Sequence, residues 1–251
     1  MKILALDSSG LVASVALVQD GVLLGEYTIN HKKTHSQTLL PMLEQLKGMT
    51  ELQLEEIDAI AVASGPGSFT GLRIGSATAK GLGLALDKPL VEVPTLEGLA
   101  YQFYGTDRLV CPLMDARRNQ VYTGIYEFLR TREGCLEQQA LVDQCAVDVK
   151  EIIERVCELC KDGREVIFLG DGVPVYEEIL RREMKVPYVL APAHKNRQSA
   201  AAVAALAEVY YQKGKTVSAA AHQPDYLRLS QAERERNEQQ TSMARKEQEN
   251  A

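Results

Sequence analysis

The sequence has no tryptophan, and aromatic residues make up only 6% of its 251 positions. Small and aliphatic side chains must therefore fill its core. It lacks an apolar run of about 18 residues, which argues against a membrane-crossing helix. Asp7 falls where a signal peptide needs its apolar stretch, and no small-residue cleavage site follows. The expectation is a cytoplasmic protein that does not meet a membrane. An excess of positive charge is also missing: 28 Lys and Arg face 34 Asp and Glu, for a net charge of −6. That balance does not favour indiscriminate nucleic-acid binding, although a local basic patch is compatible with it. The five cysteines, Cys111, Cys135, Cys145, Cys157 and Cys160, are odd in number and irregular in spacing. This argues against a secreted disulfide scaffold. Cys157-x-x-Cys160 lies alone in an apparent helix. Two half-apolar buried thiols are the plain reading, since a zinc site would need a second pair. No Gly-x-Ser-x-Gly elbow or Ser-His-Asp order is present. His31 and His35 stand four apart, but Lys32 and Lys33 separate them and no Glu follows His31. His194 and His222 lack ligand-like neighbours, so no metal site is expected.

At roughly 150 residues per domain, the length suits one large domain or two small ones. Lys2-Ile3-Leu4-Ala5-Leu6-Asp7 reads as a strand. Ala13 to Gln19 and Val22 to Ile29 follow, joined by Asp20-Gly21, a strong hairpin signal. Thr34-x-x-Gln37 matches a capping box, and Leu39, Leu40, Leu43 and Leu46 form a helical stripe after it. A short helix over Thr50 to Glu56 is a further option. Asp58 to Ala63 reads as a buried parallel strand. A glycine-rich turn leads from it into a long helix, about Thr70 to Leu86. The first hundred residues thus read β-β-β-α-β-α.

The pattern then restarts. Pro112-Leu113-Met114-Asp115 repeats Leu4-Ala5-Leu6-Asp7 at an offset of 108 residues. In both, a short turn and a returning strand follow, the second being Val121 to Leu129. A helix at Glu151 to Cys160, a strand at Glu165 to Leu169, a Gly-Asp-Gly turn at 170–172 and a helix at Val175 to Met184 echo the first half. The self-similarity suggests duplication. Asn196 is placed to cap a last, alanine-rich helix over Arg197 to Gln212. Residues 231–251 are almost wholly polar, and are expected to form a disordered tail.

The most conspicuous motif is Gly65-Pro66-Gly67-Ser68-Phe69-Thr70-Gly71-Leu72-Arg73-Ile74-Gly75. A glycine turn between a strand and a helix N-terminus could hold an anion. Yet Leu72-Arg73 stands where a P-loop needs Lys-Ser/Thr, and Thr70 where a dinucleotide fingerprint needs its third glycine. A tight turn with a capped helix is the competing reading. Within the helix, Gly71, Gly75, Ala79 and Gly83 recur every four residues on one face. Each glycine costs roughly 0.8–1 kcal/mol relative to alanine. Such a face permits close approach, either within the domain or against a partner. Asp7 and Asp115 end apolar strands, where α/β sheets place ligands. Asp7, Ser8 and Ser9 are therefore candidates for a nucleotide or anion contact.

The strand ending Leu6-Asp7-Ser8-Ser9, the meander, the paired halves and the glycine motif together resemble the TsaB (YeaZ) family. Thr34-His35-Ser36-Gln37-Thr38-Leu39-Leu40-Pro41, Val93-Pro94-Thr95-Leu96-Glu97-Gly98-Leu99 and Asp225-Tyr226-Leu227-Arg228 support it. The match runs from residue 1 to about 230. The resemblance implies an α/β fold of the actin-like ATPase superfamily, shared with sugar kinases and heat-shock proteins. Residues 1–105 with about 196–225 would form one ribonuclease-H-like domain, and 106–195 the second. It also implies a non-catalytic scaffold for a larger catalytic paralogue, TsaD, and for the TsaE ATPase. Together these place N6-threonylcarbamoyl on a tRNA adenosine beside the anticodon. The paralogue's motif Asn-His-x-Glu-Gly-His falls on Pro94 to Leu99, where Thr95 and Leu99 replace its two histidines. No catalytic residue or cofactor of the chain's own is then expected. ATP and a metal ion belong to the partner subunits, and tRNA is met through the complex.

The resemblance also implies a docking face on two helices. Its expected residues are Leu39, Leu43, Leu46, Thr70, Gly71, Arg73, Ile74, Gly75, Ala79 and Gly83. The chain alone would form a homodimer through that face. Gly75→Leu would then leave the chain folded and weaken assembly. The rival is an actin-like ATPase or small-molecule kinase active on its own. It needs a second phosphate loop, where Asp115-Ala116-Arg117-Arg118 offers cations in place of glycines. A metalloprotease would need the absent histidines.

Overall fold

The structure, a computed structural model, describes residues 1–31, 33–131 and 134–227. Asp20 and Gly21 turn the chain at φ of 51° and 75°, as a two-residue hairpin requires. They join β2 (Ala13–Gln19) to β3 (Val22–Ile29), and β2 also pairs antiparallel with β1 (Lys2–Asp7). β4 (Ala59–Gly65) and β5 (Leu90–Pro94) add in parallel on the other side of β1. The sheet order is β3-β2-β1-β4-β5.

Helices α1 (His35–Met49) and α2 (Phe69–Leu86) make the crossovers and cover one face. There Leu4, Leu6, Leu17 and Ile60 meet Leu39, Met42, Leu46 and Ala79. On the other face Ala5, Ala16, Ala61, Val91 and Val93 meet α6 (Ala200–Gln212), through Val203, Ala204 and Ala207. This alanine-on-alanine layer lets helix and sheet approach closely, and a core so built has no need of tryptophan. Strands covered on both faces are apolar throughout, which is why β1 and β4 show no alternation.

The second half repeats the plan. β6 (Leu109–Asp115), β7 (Gln120–Arg130), β8 (Leu136–Asp148), β9 (Val166–Leu169) and β10 (Tyr188–Leu190) have the order β8-β7-β6-β9-β10. Helices α4 (Val149–Leu159) and α5 (Val173–Glu183) cover the outer face around Cys111, Ile153 and Phe168. On the inner face, α3 (Thr95–Tyr101) packs Leu96, Leu99 and Ala100 on Val110, Met114 and Tyr126. Strand by strand, the two sheets follow one topology: an antiparallel meander with two parallel strands added beside its first strand. This is the ribonuclease-H-like lobe, present twice.

Several elements differ from the sequence reading. β5, β8, β10 and α3 were not foreseen. β8 runs mostly half-exposed at the sheet edge, so its apolar signal is diluted. The last helix starts at Ala200, not Arg197. Ser199, not Asn196, is its cap, with the hydroxyl accepting from the Ala202 amide. Thr34 is the N-cap residue of α1, but its hydroxyl lies 3.1 Å from Ser36 Oγ and makes no capping bond. The polar stretch 231–251 and Arg228 lie outside the described residues.

Candidate functional site

The turn after β1 is closed on itself. Asp7 is 2% exposed. One of its carboxylate oxygens accepts from the Ser9 amide at 2.9 Å and the Ser9 hydroxyl at 2.6 Å. Burial raises its pKa from 3.8 to about 6, while the Ser9 hydrogen bonds and nearby His35 pull the other way. The Ser8 hydroxyl donates to the Gly71 carbonyl at 2.8 Å. The Ser9 carbonyl accepts from the Ser68 amide at 2.7 Å. Every polar side chain of Asp7-Ser8-Ser9 thus has a partner inside the fold.

The glycine motif is the other half of this closure. A Cβ on Gly67 would sit 2.2 Å from the Ser9 carbonyl oxygen, and one on Gly71 would sit 2.1 Å from that of Ser8. A Cβ on Gly75 would lie 2.4 Å from Ser8 Oγ, and one on Gly83 2.9 Å from Ala219 Cβ. Ser68 caps α2 by accepting from the Gly71 amide. The small residues therefore serve close packing within the lobe, and the motif is a capped turn pressed onto β1. Leu39, Leu46, Gly71, Gly75, Ala79 and Gly83 are buried inside the lobe, and Leu43 and Ile74 are partly buried. Of the ten residues expected on the docking face, only Thr70 and Arg73 are exposed. Gly75→Leu would force a clash with Ser8 and disturb the fold itself.

The outer faces of α1 and α2 carry other residues. Leu40 is 57% exposed and Leu84 is 64% exposed. Thr70, Arg73, Ala77, Gly81 and Leu84, all exposed, follow helical spacing along α2. Residues 217–227 run beside this helix in the opposite direction. Val217 pairs with Leu90, and Lys80 Nζ donates to the carbonyls of Ala220 and His222. The fully buried His222 ring meets Glu92 at 2.6 Å. Tyr226 packs on Phe69, with ring centroids 4.9 Å apart, and the Arg73 guanidinium lies 4.0 Å over Phe69. Leu40 and Leu84 could have been found by asking which α1 and α2 positions lie opposite the core stripe. The strap carries no periodic signal.

The second lobe's hairpin has the same local chemistry with different side chains. An Asp115 carboxylate oxygen accepts from the Arg117 amide at 2.9 Å, as Asp7 accepts from Ser9. The Tyr176 hydroxyl donates to the same oxygen, and Asp171 accepts from the Asp115 amide. Arg117, Arg118 and Asn119 all hold positive φ, 63°, 55° and 59°. Between the two hairpins lies an open cleft of about 1350 Å³, lined from both lobes. Gln144 spans the lobes by donating to Asp225 at 2.8 Å.

Other candidates dissolve into structure. Thr95 is buried and accepts from the Gly65 amide, and Leu99 is buried in the interlobe core. His35 Nε2 donates to the Gly10 carbonyl at 2.9 Å. Cys111 and Cys160 are buried, and burial pushes the Cys111 thiol up to about 12. Among the described residues, no three His, Cys, Asp or Glu side chains are grouped to hold a metal.

Two ribonuclease-H-like lobes facing across a cleft define the actin-like ATPase superfamily. A family model described as TsaD, tRNA N6-adenosine threonylcarbamoyltransferase, matches residues 22–236. The Bacillus subtilis tRNA threonylcarbamoyladenosine biosynthesis protein TsaB is 35% identical over 236 residues, covering 93% of this chain and 96% of that protein. Its Escherichia coli namesake is 31% identical over 235 residues, covering 91% and 95%. YeaZ from Pseudomonas aeruginosa superposes with a TM-score of 0.72 at 30% identity, over 90% of this chain and 99% of that one. The chain belongs to the TsaB family.

Proposed function

We propose that the chain acts in tRNA threonylcarbamoyladenosine biosynthesis as a non-catalytic subunit that docks the catalytic paralogue TsaD, with the TsaE ATPase joining the pair. The names of the B. subtilis and E. coli relatives support the pathway. The observation that carries the docking role is the outer face of α1 and α2. These helices build the core with one side and present Leu40 and Leu84 on the other. Burying the exposed parts of the two leucines contributes about 2–3 kcal/mol. The same face would serve a homodimer when the partner is absent. tRNA modification places the work in the cytoplasm, and among the described residues no helix is long and apolar enough to cross a membrane.

The closed Asp7–Ser9 turn supports the non-catalytic reading. So do the bulky side chains at Arg117 to Asn119, where a phosphate would need close backbone approach. The Leu99 side chain has no atom to offer a metal. ATP and a metal ion are accordingly assigned to the partner subunits. Light scattering on the chain, alone and mixed with TsaD from the same source, tests the proposal. A one-to-one complex that displaces any homodimer is expected. Folded TsaD with nucleotide that forms no complex, or stoichiometric ATP binding by this chain alone followed by turnover, would overturn it.

A further inference from the structure

The cleft has a feature the docking role leaves unused. Lys33 from the first lobe and Arg117 and Arg118 from the second line it and are exposed. Among the described residues, none of the three enters an ion pair. Consecutive positive φ angles hold both arginines on a tight turn. The acids of the cleft, Asp115, Asp171 and Asp225, are differently placed. Each already accepts a hydrogen bond from the protein, and Asp171 has its carboxyl pKa raised by burial. Lys33, Arg117 and Arg118 therefore stand in the cleft as cations without an ion-pair partner, beside three carboxylates already engaged by neutral donors. Two tyrosine rings, Tyr226 and Tyr122, line the same space, while Phe69 is already covered by Tyr226 and the Arg73 guanidinium. At about 1350 Å³ the cleft exceeds the roughly 300–1,000 Å³ typical of a small-molecule pocket. The turn after β1 is closed by Ser8, Ser9 and Gly71, which leaves no phosphate-sized niche there.

We propose that the interlobe cleft binds a short single-stranded stretch of RNA. Its phosphates would lie on Lys33, Arg117 and Arg118, and its bases on Tyr226 and Tyr122. Cations that track a backbone beside aromatic stacking surfaces are how single strands are held without sequence readout. Asp115 and Asp171 on the floor can accept from ribose 2′-hydroxyls. The choice of RNA over other single strands rests on the proposed role in tRNA modification, and the phosphate contacts do not.

Fluorescence anisotropy with a labelled oligouridine of about 12 nucleotides and the full chain alone tests this across a salt series. Binding that weakens with salt is expected. Arg117→Gln, Arg118→Gln and Lys33→Gln should each lower the salt slope by about 0.7 and weaken binding about fivefold at 0.1 M salt. Tyr226→Leu should weaken binding at an unchanged slope. Leu84→Asp, on the docking face, should leave RNA binding alone, so failure of the docking role and of this site are read separately. No anisotropy change at low salt would overturn the site. So would unaltered slopes in all three cation variants, each checked for folding by circular dichroism. Displacement of the oligouridine by stoichiometric ATP would point to a nucleotide site instead, and equal affinity for oligothymidine would contradict RNA.

Discussion

Asp7→Asn should stabilise the protein at neutral pH. The carboxyl is 2% exposed and its pKa rises from 3.8 to about 6 on burial. At 1.36 kcal/mol per pH unit, holding Asp7 ionised in the fold costs about 3 kcal/mol at pH 7.5. The sign follows from the raised value. The folded state prefers the protonated acid, so the Asp7 contribution is most favourable below about pH 4 and worsens as the pH rises through about 6. At pH 4.5 the cost shrinks to about 1 kcal/mol. Asparagine keeps the oxygen that accepts from the Ser9 amide and hydroxyl, and removes the charge. Its new amide hydrogens need partners, which offsets about 1–2 kcal/mol of the gain. The net gain at pH 7.5 is then about 1–2 kcal/mol, or roughly 3–6 °C in melting temperature for a chain of this size. Thermal melts of both proteins at pH 7.5 and pH 4.5 measure it. The advantage of the variant should shrink by about 2 kcal/mol between them. A gap that is the same at both pH values would show that burial does not set the Asp7 titration. A variant less stable at pH 7.5 would show that the carboxylate is needed for more than its acceptor oxygen.

The packing account makes further predictions. Gly71→Ala should lower the unfolding free energy from urea titration by roughly 1–3 kcal/mol, because its Cβ meets the Ser8 carbonyl and outweighs the better helix propensity; an unchanged midpoint would sink the close-packing role. Gly75→Leu should likewise lose folding stability, seen in the same titration, and not assembly alone. His222→Ala should cost about 2–4 kcal/mol, by opening a cavity and leaving Glu92 without its partner. Hydrogen exchange should then rise first across 217–227, and protection unchanged there would detach the strap from His222.

Much of this architecture was legible because its causes are local. Asp20-Gly21 marks a hairpin, and the repeat of Leu4–Asp7 in Pro112–Asp115 reports two lobes whose turns share an aspartate-to-amide bond. What escaped depends on neighbours distant in sequence. β8 pairs along one edge only, and its apolar signal is weak. The strap at 217–227 is held by Lys80, Glu92 and Ser64, which lie more than a hundred residues earlier. The small-residue face of α2 was legible as a close approach, but spacing alone does not say which neighbour approaches. Ser8 and Ala219 take that place. The outward stripe through Leu84 is the complement of that face, visible only once the inner side is known.

The most direct test of the docking account is a calorimetric titration of TsaD into this chain and into its Leu40→Asp, Leu84→Asp double variant. Both leucines are solvent-exposed, so the variant should keep its melting temperature and circular dichroism. Its affinity for TsaD should fall by more than about tenfold, through lost apolar burial and two desolvated carboxylates. Wild-type affinity in the folded variant would contradict docking through the outer face of α1 and α2.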